Sequence, residues 1–192
     1  MKKIILIGGG GHCKSVIDVI EQEGKFRIVG IIDKKNLLGL KILGYPIIGT
    51  DTDITKLAKK YQNALITIGF VKNPYLRIKL FNLAKRAGFK FPFIVSPRAY
   101  VSKHSKLGFG TIVMHNAIVN ANSSIGNNCI INSKALIEHD CQISSHSHIS
   151  TNAIINGGVK VGPGCFIGSN VTTKHKINIK RKSFIKAGSL AK

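Results

Sequence analysis

Residues 136–141 read LIEHDC and set a histidine between two carboxylates in a stretch of chain that has no others. Glu138 and Asp140 are the only acids after Asp53. An imidazole titrates near neutrality, so it takes a proton from a nucleophile at physiological pH, and an adjacent carboxylate orients the ring. Such a pair suits attack by an amine or hydroxyl on an activated carbonyl, a reaction that builds negative charge on oxygen and needs N–H donors beside it. Downstream, SHSHIS (145–150) supplies His146 and His148. Together with His139 they raise a metal site as an alternative, but no carboxylates beyond Glu138 and Asp140 are available to complete one, and no metal is expected. His104, His115 and His175 read as surface or packing residues. A second chemical signal lies at 8–14, GGGGHCK, after the apolar run IILI. Glycines between a strand and a helix expose N–H groups and the helix dipole to a phosphate. As a dinucleotide fingerprint the run is incomplete, because Cys13 stands where G-x-G-x-x-G requires its third glycine.

The elements that position these residues fall into two halves with different periods. In the first, apolar strand runs at 3–8, 26–33 and 64–69 alternate with helical patterns at 14–24, 51–61 and 73–88, the last with Pro74 near its start. That alternation predicts a small parallel sheet with crossover helices. The opening MKKIILIGGGGH has too short an apolar run for a signal peptide and reads as the first strand. No apolar run approaches the ~20 residues of a spanning helix, so no membrane insertion is expected and the location is read as cytoplasmic.

From Val101 to Thr172 the chain divides into hexads without an insertion. The first position is aliphatic throughout, and the fifth is Ser, Thr, Ala, Cys or Val. This is a β-helix repeat, in which the aliphatic residue fills a narrow prism and the small residue fits near a corner. Three hexads make one coil, so residue i lies beside i+18, about 4.8 Å away. By that rule Gly157 stacks on His139, and Cys129, Ser147 and Cys165 share one column. The cysteines are therefore read as reduced packing residues, with neither zinc spacing nor a CxxC pair. After Thr172 the hexads break at TKHKINIKRK, and one coil-like piece, SFIKAGSLAK, closes the chain.

Hexads this regular resemble the left-handed β-helix acyltransferases. A short GGGGH domain joined to hexads carrying IEHDC and, nine residues on, SHIS is similar to the bacterial family of sialic acid O-acetyltransferases and bacillosamine-type nucleotide amino-sugar N-acetyltransferases. The resemblance implies an α/β plus all-β solenoid architecture: a Rossmann-like βαβαβ nucleotide-sugar domain over 1–92 and a left-handed parallel β-helix over 93–192. It implies a homotrimer that binds acetyl-CoA between neighbouring prisms. Residue by residue, it implies His139 as general base, Asp140 as its acidic partner and Gly157 as oxyanion donor. It implies coenzyme contacts at His148, Ser169 and Ala187, with Asn132 a polar neighbour of the catalytic histidine, and nucleotide-sugar contacts at Gly10, Gly11, His12, Asp33, Lys34 and Gly69. The expected reaction is acetyl transfer to the amino group of a UDP-linked 4-amino-4,6-dideoxy sugar in surface glycan synthesis. O-acetylation of a sugar acid, or nucleotide-sugar binding without chemistry, are the alternatives.

With 29 basic residues against 8 acidic ones, the chain carries a formal +21. Such a field attracts phosphates and nucleic acid alike, but no helix-turn-helix, RNP or finger motif accompanies it, and no nucleic-acid partner is expected. Lysine, isoleucine and asparagine are abundant, as in chains from AT-rich genomes, so part of the charge reads as solvated surface. The cluster Lys180, Arg181 and Lys182 is read either that way or as a contact for the coenzyme's phosphates.

Overall fold

A computed structural model describes residues 1–192 and divides them into two compact units, 1–69 with 75–92, and 70–74 with 93–192. In the first unit, β1 (Lys2–Ile7) lies between β2 (Phe26–Ile32) and β5 (Asn63–Ile66), and β2 continues to β4 (Tyr45–Gly49), all parallel. A two-residue β3 (Lys41–Ile42) adds an antiparallel edge to β4. The hairpin made by β3 and β4 was not predicted: Pro46 interrupts a short segment, which removes both the length and the alternation that mark a strand. Helices α1 (Gly11–Glu23) and α2 (Ile54–Lys60) make the crossovers, and α3 (Tyr75–Arg86) follows β5. The fully buried Ile5, Ile7, Ile32, Ala64 and Ile66 pack with Ile54, Leu80 and Phe81 of the helices. Gly24 ends α1 in the left-handed region, where its N–H donates to Ile20 O, a role that suits a residue without Cβ.

The second unit is the predicted left-handed parallel β-helix. Its strands are two residues long, the first side chain pointing out and the second in. Face one comprises Tyr100–Val101, Ile118–Val119, Leu136–Ile137, Ile154–Ile155, Thr172–Thr173 and Leu190–Ala191. Face two runs from Lys106–Leu107 to Asn178–Ile179, and face three from Ile94–Val95 to Phe184–Ile185. Ile118 pairs with Leu136, and Leu136 with Ile154, which is the 18-residue step that the hexads require.

Two features differ from the sequence reading. The prism begins one hexad earlier, because Ile94–Val95 pairs with Ile112–Val113. Nor do the hexads break after Thr172. The register continues unaltered through Asn178–Ile179 and Phe184–Ile185 to Leu190–Ala191. The repeat is concealed by an exchange of residue types: Thr173 fills an aliphatic slot and Ile177 a small one. Thr173 is 1% exposed, and its hydroxyl accepts from Asn156 N at 2.9 Å, which satisfies the polar atom inside the prism.

From Gly110 to Gly188 the fourth position of the hexads takes a left-handed φ, which explains much of the asparagine content. Asn116, Asn122, Asn128, Asn152 and Asn170 lie between +54° and +60°, and Gly158, Gly164 and Gly188 occupy equivalent corners. Asparagine and aspartate visit this region at lower cost than other non-glycine residues. Turn geometry thus accounts for residues that composition alone assigns to genome bias.

Candidate active site

Corner one, between faces one and two, holds the LIEHDC hexad. Ile137 and Cys141 are fully buried, so the three residues between them are turned outward. Asp140 occupies the left-handed position, with φ 62°, and its N–H donates to Ala121 O. Its carboxylate is held from two sides: Asn122 Nδ2 donates to Oδ1 at 2.6 Å, and His139 Nδ1 lies 2.6 Å from Oδ2. These hydrogen bonds, that from His139 foremost, keep the carboxyl below the usual carboxylate range. An ionised carboxylate only accepts, so Nδ1 carries the hydrogen and Nε2 is left as the basic atom.

Gly157 lies directly across from that ring. A Cβ at 157 would stand 2.8 Å from both Cε1 and Nε2 of His139. Gly157→Ala is therefore expected to displace the imidazole or block its approach to substrate. We expect kcat/KM to fall by about 10² or more, on the scale of losing a general base, while the far-ultraviolet circular dichroism stays unchanged. Steady-state kinetics on the folded variant checks this.

The geometry separates the two acids. Glu138 Oε2 accepts from Asn120 Nδ2 at 2.9 Å and its backbone carbonyl from Ser123 Oγ, so its carboxylate is engaged along face one and Asp140 is the one on the ring. The cysteines sit inside the prism, where Cys129, Cys141 and Cys165 each direct Sγ to a backbone carbonyl. Burial pushes the thiols of Cys141 and Cys165 up.

The remaining residues picked from the β-helix sequence do not gather around His139. His148 lies on face three and is 7% exposed. Its Nδ1 donates to Phe70 O at 2.8 Å, and its ring meets Phe70 and Phe166 edge-on. Asn132 sits beside His148, with Nδ2 3.4 Å from Nε2, and not beside His139. Ser169 and Ala187 occupy corner three, between faces three and one, with Ser169 Oγ 3.0 Å from Ser150 Oγ. His146 falls on corner two, so the three histidines of the metal alternative are distributed over different parts of the prism. Arg181 and Lys182 of the basic cluster are on corner two as well, away from both His139 and Ser169. Within one chain the predicted base and the predicted coenzyme residues Ser169 and Ala187 stand at opposite edges of face one.

The first unit contains a cavity of ≈ 1200 Å³ at the carboxyl ends of its strands. Gly10, Gly11, His12, Asp33, Lys34 and Gly69 all line it. Gly10 and Gly11 have open space where a Cβ would project, at the start of α1. Asp33 braces the glycine loop, accepting from Gly9 N at 2.5 Å and from Lys34 N at 2.7 Å. The sequence reading missed the wall formed by residues 50–53, where Asp53 accepts from both N and Oγ1 of Thr50. It also missed Arg77, which is 1% exposed and donates from one guanidinium nitrogen to Ile66 O and Ile68 O, tying α3 to the end of β5. A Thr-Asp-Thr-Asp run was legible as a cap, but nothing in the sequence marks Arg77 apart from its place on the inner side of α3.

Comparison with known proteins gives the following. The family described as PglD N-terminal domain matches residues 3–84, and the bacterial transferase hexapeptide family, six repeats, matches 140–175. UDP-N-acetylbacillosamine N-acetyltransferase of Bacillus subtilis is 32% identical over 119 residues, covering 59% of this chain and 52% of that protein. The chain thus spans about half the length of this curated relative. A histidine-to-asparagine variant of perosamine N-acetyltransferase from Caulobacter crescentus, solved in complex with CoA and GDP-perosamine, is 30% identical with a TM-score of 0.93. It is matched over 100% of this chain and 89% of its own. The acetyltransferase domain of PglB from Neisseria gonorrhoeae, solved with acetyl coenzyme A, is 28% identical over 97% of this chain and 89% of its own, with a TM-score of 0.89. No helix is long and apolar enough to cross a membrane.

Proposed function

Because the chain belongs to the bacterial hexapeptide-repeat acetyltransferases that carry a PglD-type N-terminal domain, we propose that it moves acetyl from acetyl-CoA to the amino group of a nucleotide-linked 4-amino-4,6-dideoxy sugar. The observation that carries the mechanism is the linear array Asn122–Asp140–His139 with Nε2 facing Gly157. In this reading Nε2 takes the proton from the attacking amine as its nitrogen bonds to the thioester carbon. The oxyanion is met by the Gly157 N–H, which donates no hydrogen bond within the chain. Collapse expels the coenzyme thiolate, which recovers the proton from the imidazolium. The relatives are N-acetyltransferases, which favours an amine over a sugar-acid hydroxyl as acceptor. Residues 1–92 would hold the nucleotide sugar: phosphates at the start of α1, ribose near Asp33. Residues 93–192 would perform the transfer, in the cytoplasm.

The working form is a trimer. The outward side chains of face one are Tyr100, Ile118, Leu136, Ile154, Thr172 and Leu190, an apolar column in which Tyr100 is 59% and Leu190 53% exposed. Those of face two are Lys106, Ser124, Gln142, Lys160 and Asn178, which suit water. Face one is bordered by corner one on one side and corner three on the other. Packing three copies around a threefold axis through this face brings His139 of one protomer against Ser169 and Ala187 of the next. That arrangement explains why His139 is open in a single chain, with 62% of its side chain exposed.

A thermal-shift series with UDP- and GDP-linked amino sugars, followed by thiol release from acetyl-CoA, tests the assignment. At a hundredfold excess over Kd, a cognate ligand stabilises by about 2.7 kcal/mol, a shift easily read. Stabilisation by one nucleotide amino sugar together with CoA release is expected. No response to any of them, with binding of free sugar acids instead, contradicts it.

A further inference from the structure

One margin of the first sheet is closed by single residues in place of a strand. β5 is the last strand on that side, paired with β1 alone. Backbone groups of successive residues point alternately to the two sides of a strand. Thr67 N–H donates inward to Ile7 O at 2.9 Å, whereas Ala64 N–H donates outward to Lys90 O at 3.0 Å and Gln62 O accepts from Lys90 N–H at 2.8 Å. Lys90 thus serves the open edge at 62 and 64. Farther along the same edge, Ile66 O and Ile68 O both accept from Arg77 Nη1 of α3, at 2.7 and 2.8 Å. We propose that Arg77 is a positioning residue for the nucleotide sugar: standing in for a missing strand, it holds residues 67–69 against the glycine loop that receives the ligand's phosphates. The inference rests on the reading of the first unit's cavity as the nucleotide-sugar site.

Thr67, Ile68 and Gly69 line that cavity together with Gly8, Gly9, Gly10 and Gly11. Two contacts pass from this segment to the glycine loop. Thr67, which is fully buried, donates its hydroxyl to Gly8 O at 2.5 Å. Ile68 fills the space that Gly8 leaves open: a Cβ at 8 would stand 2.1 Å from Ile68 Cγ1, and φ of 102° there suits glycine. On its other side the loop is held from β2, where Ile32 O accepts from Gly8 N–H and Asp33 from Gly9 N–H. Arg77 is 1% exposed and does not line the cavity, so its effect on a ligand passes through the segment that it holds. Without its donors the Ile66 and Ile68 carbonyls lose a buried partner, and residues 67–69 can move toward water, drawing Thr67 and Ile68 away from Gly8. A phosphate needs several N–H groups fixed in one cradle, so slack in the loop is read as weaker binding.

Arg77→Met keeps the length of the stem and removes the donors; Arg77→Lys keeps a donating head that can serve both carbonyls. Titration calorimetry with UDP- and GDP-linked 4-amino-4,6-dideoxy sugars and, separately, with acetyl-CoA reads the two sites apart, since Ser169 and Ala187 belong to the second unit. Kd for the nucleotide sugar is expected to rise about tenfold or more in Arg77→Met, on the scale of a lost hydrogen bond to a charged group, and to stay within about threefold of wild type in Arg77→Lys. Kd for acetyl-CoA should change in neither. If circular dichroism shows Arg77→Met to be unfolded, Thr67→Val carries the same expectation, because it deletes only the hydroxyl that reaches Gly8 O. Wild-type affinity for the nucleotide sugar in the folded Arg77→Met or Thr67→Val protein overturns the inference, as does equal weakening toward both ligands. A wild type that binds neither kind of nucleotide amino sugar overturns the parent reading, and this inference with it.

Discussion

Ile154→Lys is expected to yield a folded monomer with acetyl transfer reduced by more than about 10², since proximity of base and thioester supplies a large part of such a rate. Ile154 points outward from the middle of face one, so the substitution leaves the inner column intact: Ile155 and Ile137 remain fully buried. Around a threefold axis it places three ammonium groups in one apolar contact. An unpaired charge in such a setting costs several kcal/mol per copy. Sedimentation velocity reads the association state and circular dichroism the fold. In the proposed assembly each site draws His139 from one protomer and Ser169 and Ala187 from its neighbour, so dissociation removes the site even though no catalytic residue has changed. The same substitution on face two, at Gln142, should change neither property, because that face is polar and solvated.

His139→Asn carries the other large effect. Asparagine is close in size to the imidazole and accepts hydrogen bonds, but it does not take a proton at neutral pH. A general base contributes typically 10² to 10⁴ in rate. The loss should fall on kcat more than on coenzyme binding, because the proton is taken only as the acetyl group is transferred. An amine acceptor is a better nucleophile than an alcohol once neutral, so the fall is limited by how much of the acceptor is already deprotonated, and it should shrink as pH rises. The Asn122–Asp140 hydrogen bond does not involve His139, so the corner should stay ordered, and circular dichroism on the variant checks that it does.

The prism was legible because its rule is simple: an aliphatic residue every six, a small one four places later, and a partner at i+18. That rule placed Gly157 against His139 before any coordinates, and the 2.8 Å approach of a would-be Cβ to the ring agrees with it. It failed where chemistry substitutes for shape. Thr173 occupies an aliphatic slot because Asn156 satisfies its hydroxyl, and a pattern search built on apolarity cannot see a hydrogen bond. The left-handed corners were also readable, since Asn116, Asn122 and Asn128 recur at six-residue intervals, but the asparagines look like composition until the turn is known. His148 shows another limit. Its motif, SHIS, marks the residue, while burial against Phe70 depends on a segment 78 positions away in sequence. In the first unit, the glycine run and the acid ending β2 identified the cavity, because a phosphate site and a strand end have local signatures. The wall at 50–53 follows β4, a strand too short and too interrupted by Pro46 to be recognised.

The central claim is that Nε2 of His139, oriented by Asp140, accepts the acceptor's proton during acetyl transfer. It is tested most directly by measuring thiol release from acetyl-CoA with a cognate nucleotide amino sugar, for wild type and His139→Asn at saturating substrates, alongside the sedimentation of both. The account predicts two trimers, one of them slower by about 10² to 10⁴ at neutral pH. A trimeric His139→Asn protein that turns over within a few-fold of wild type would contradict it.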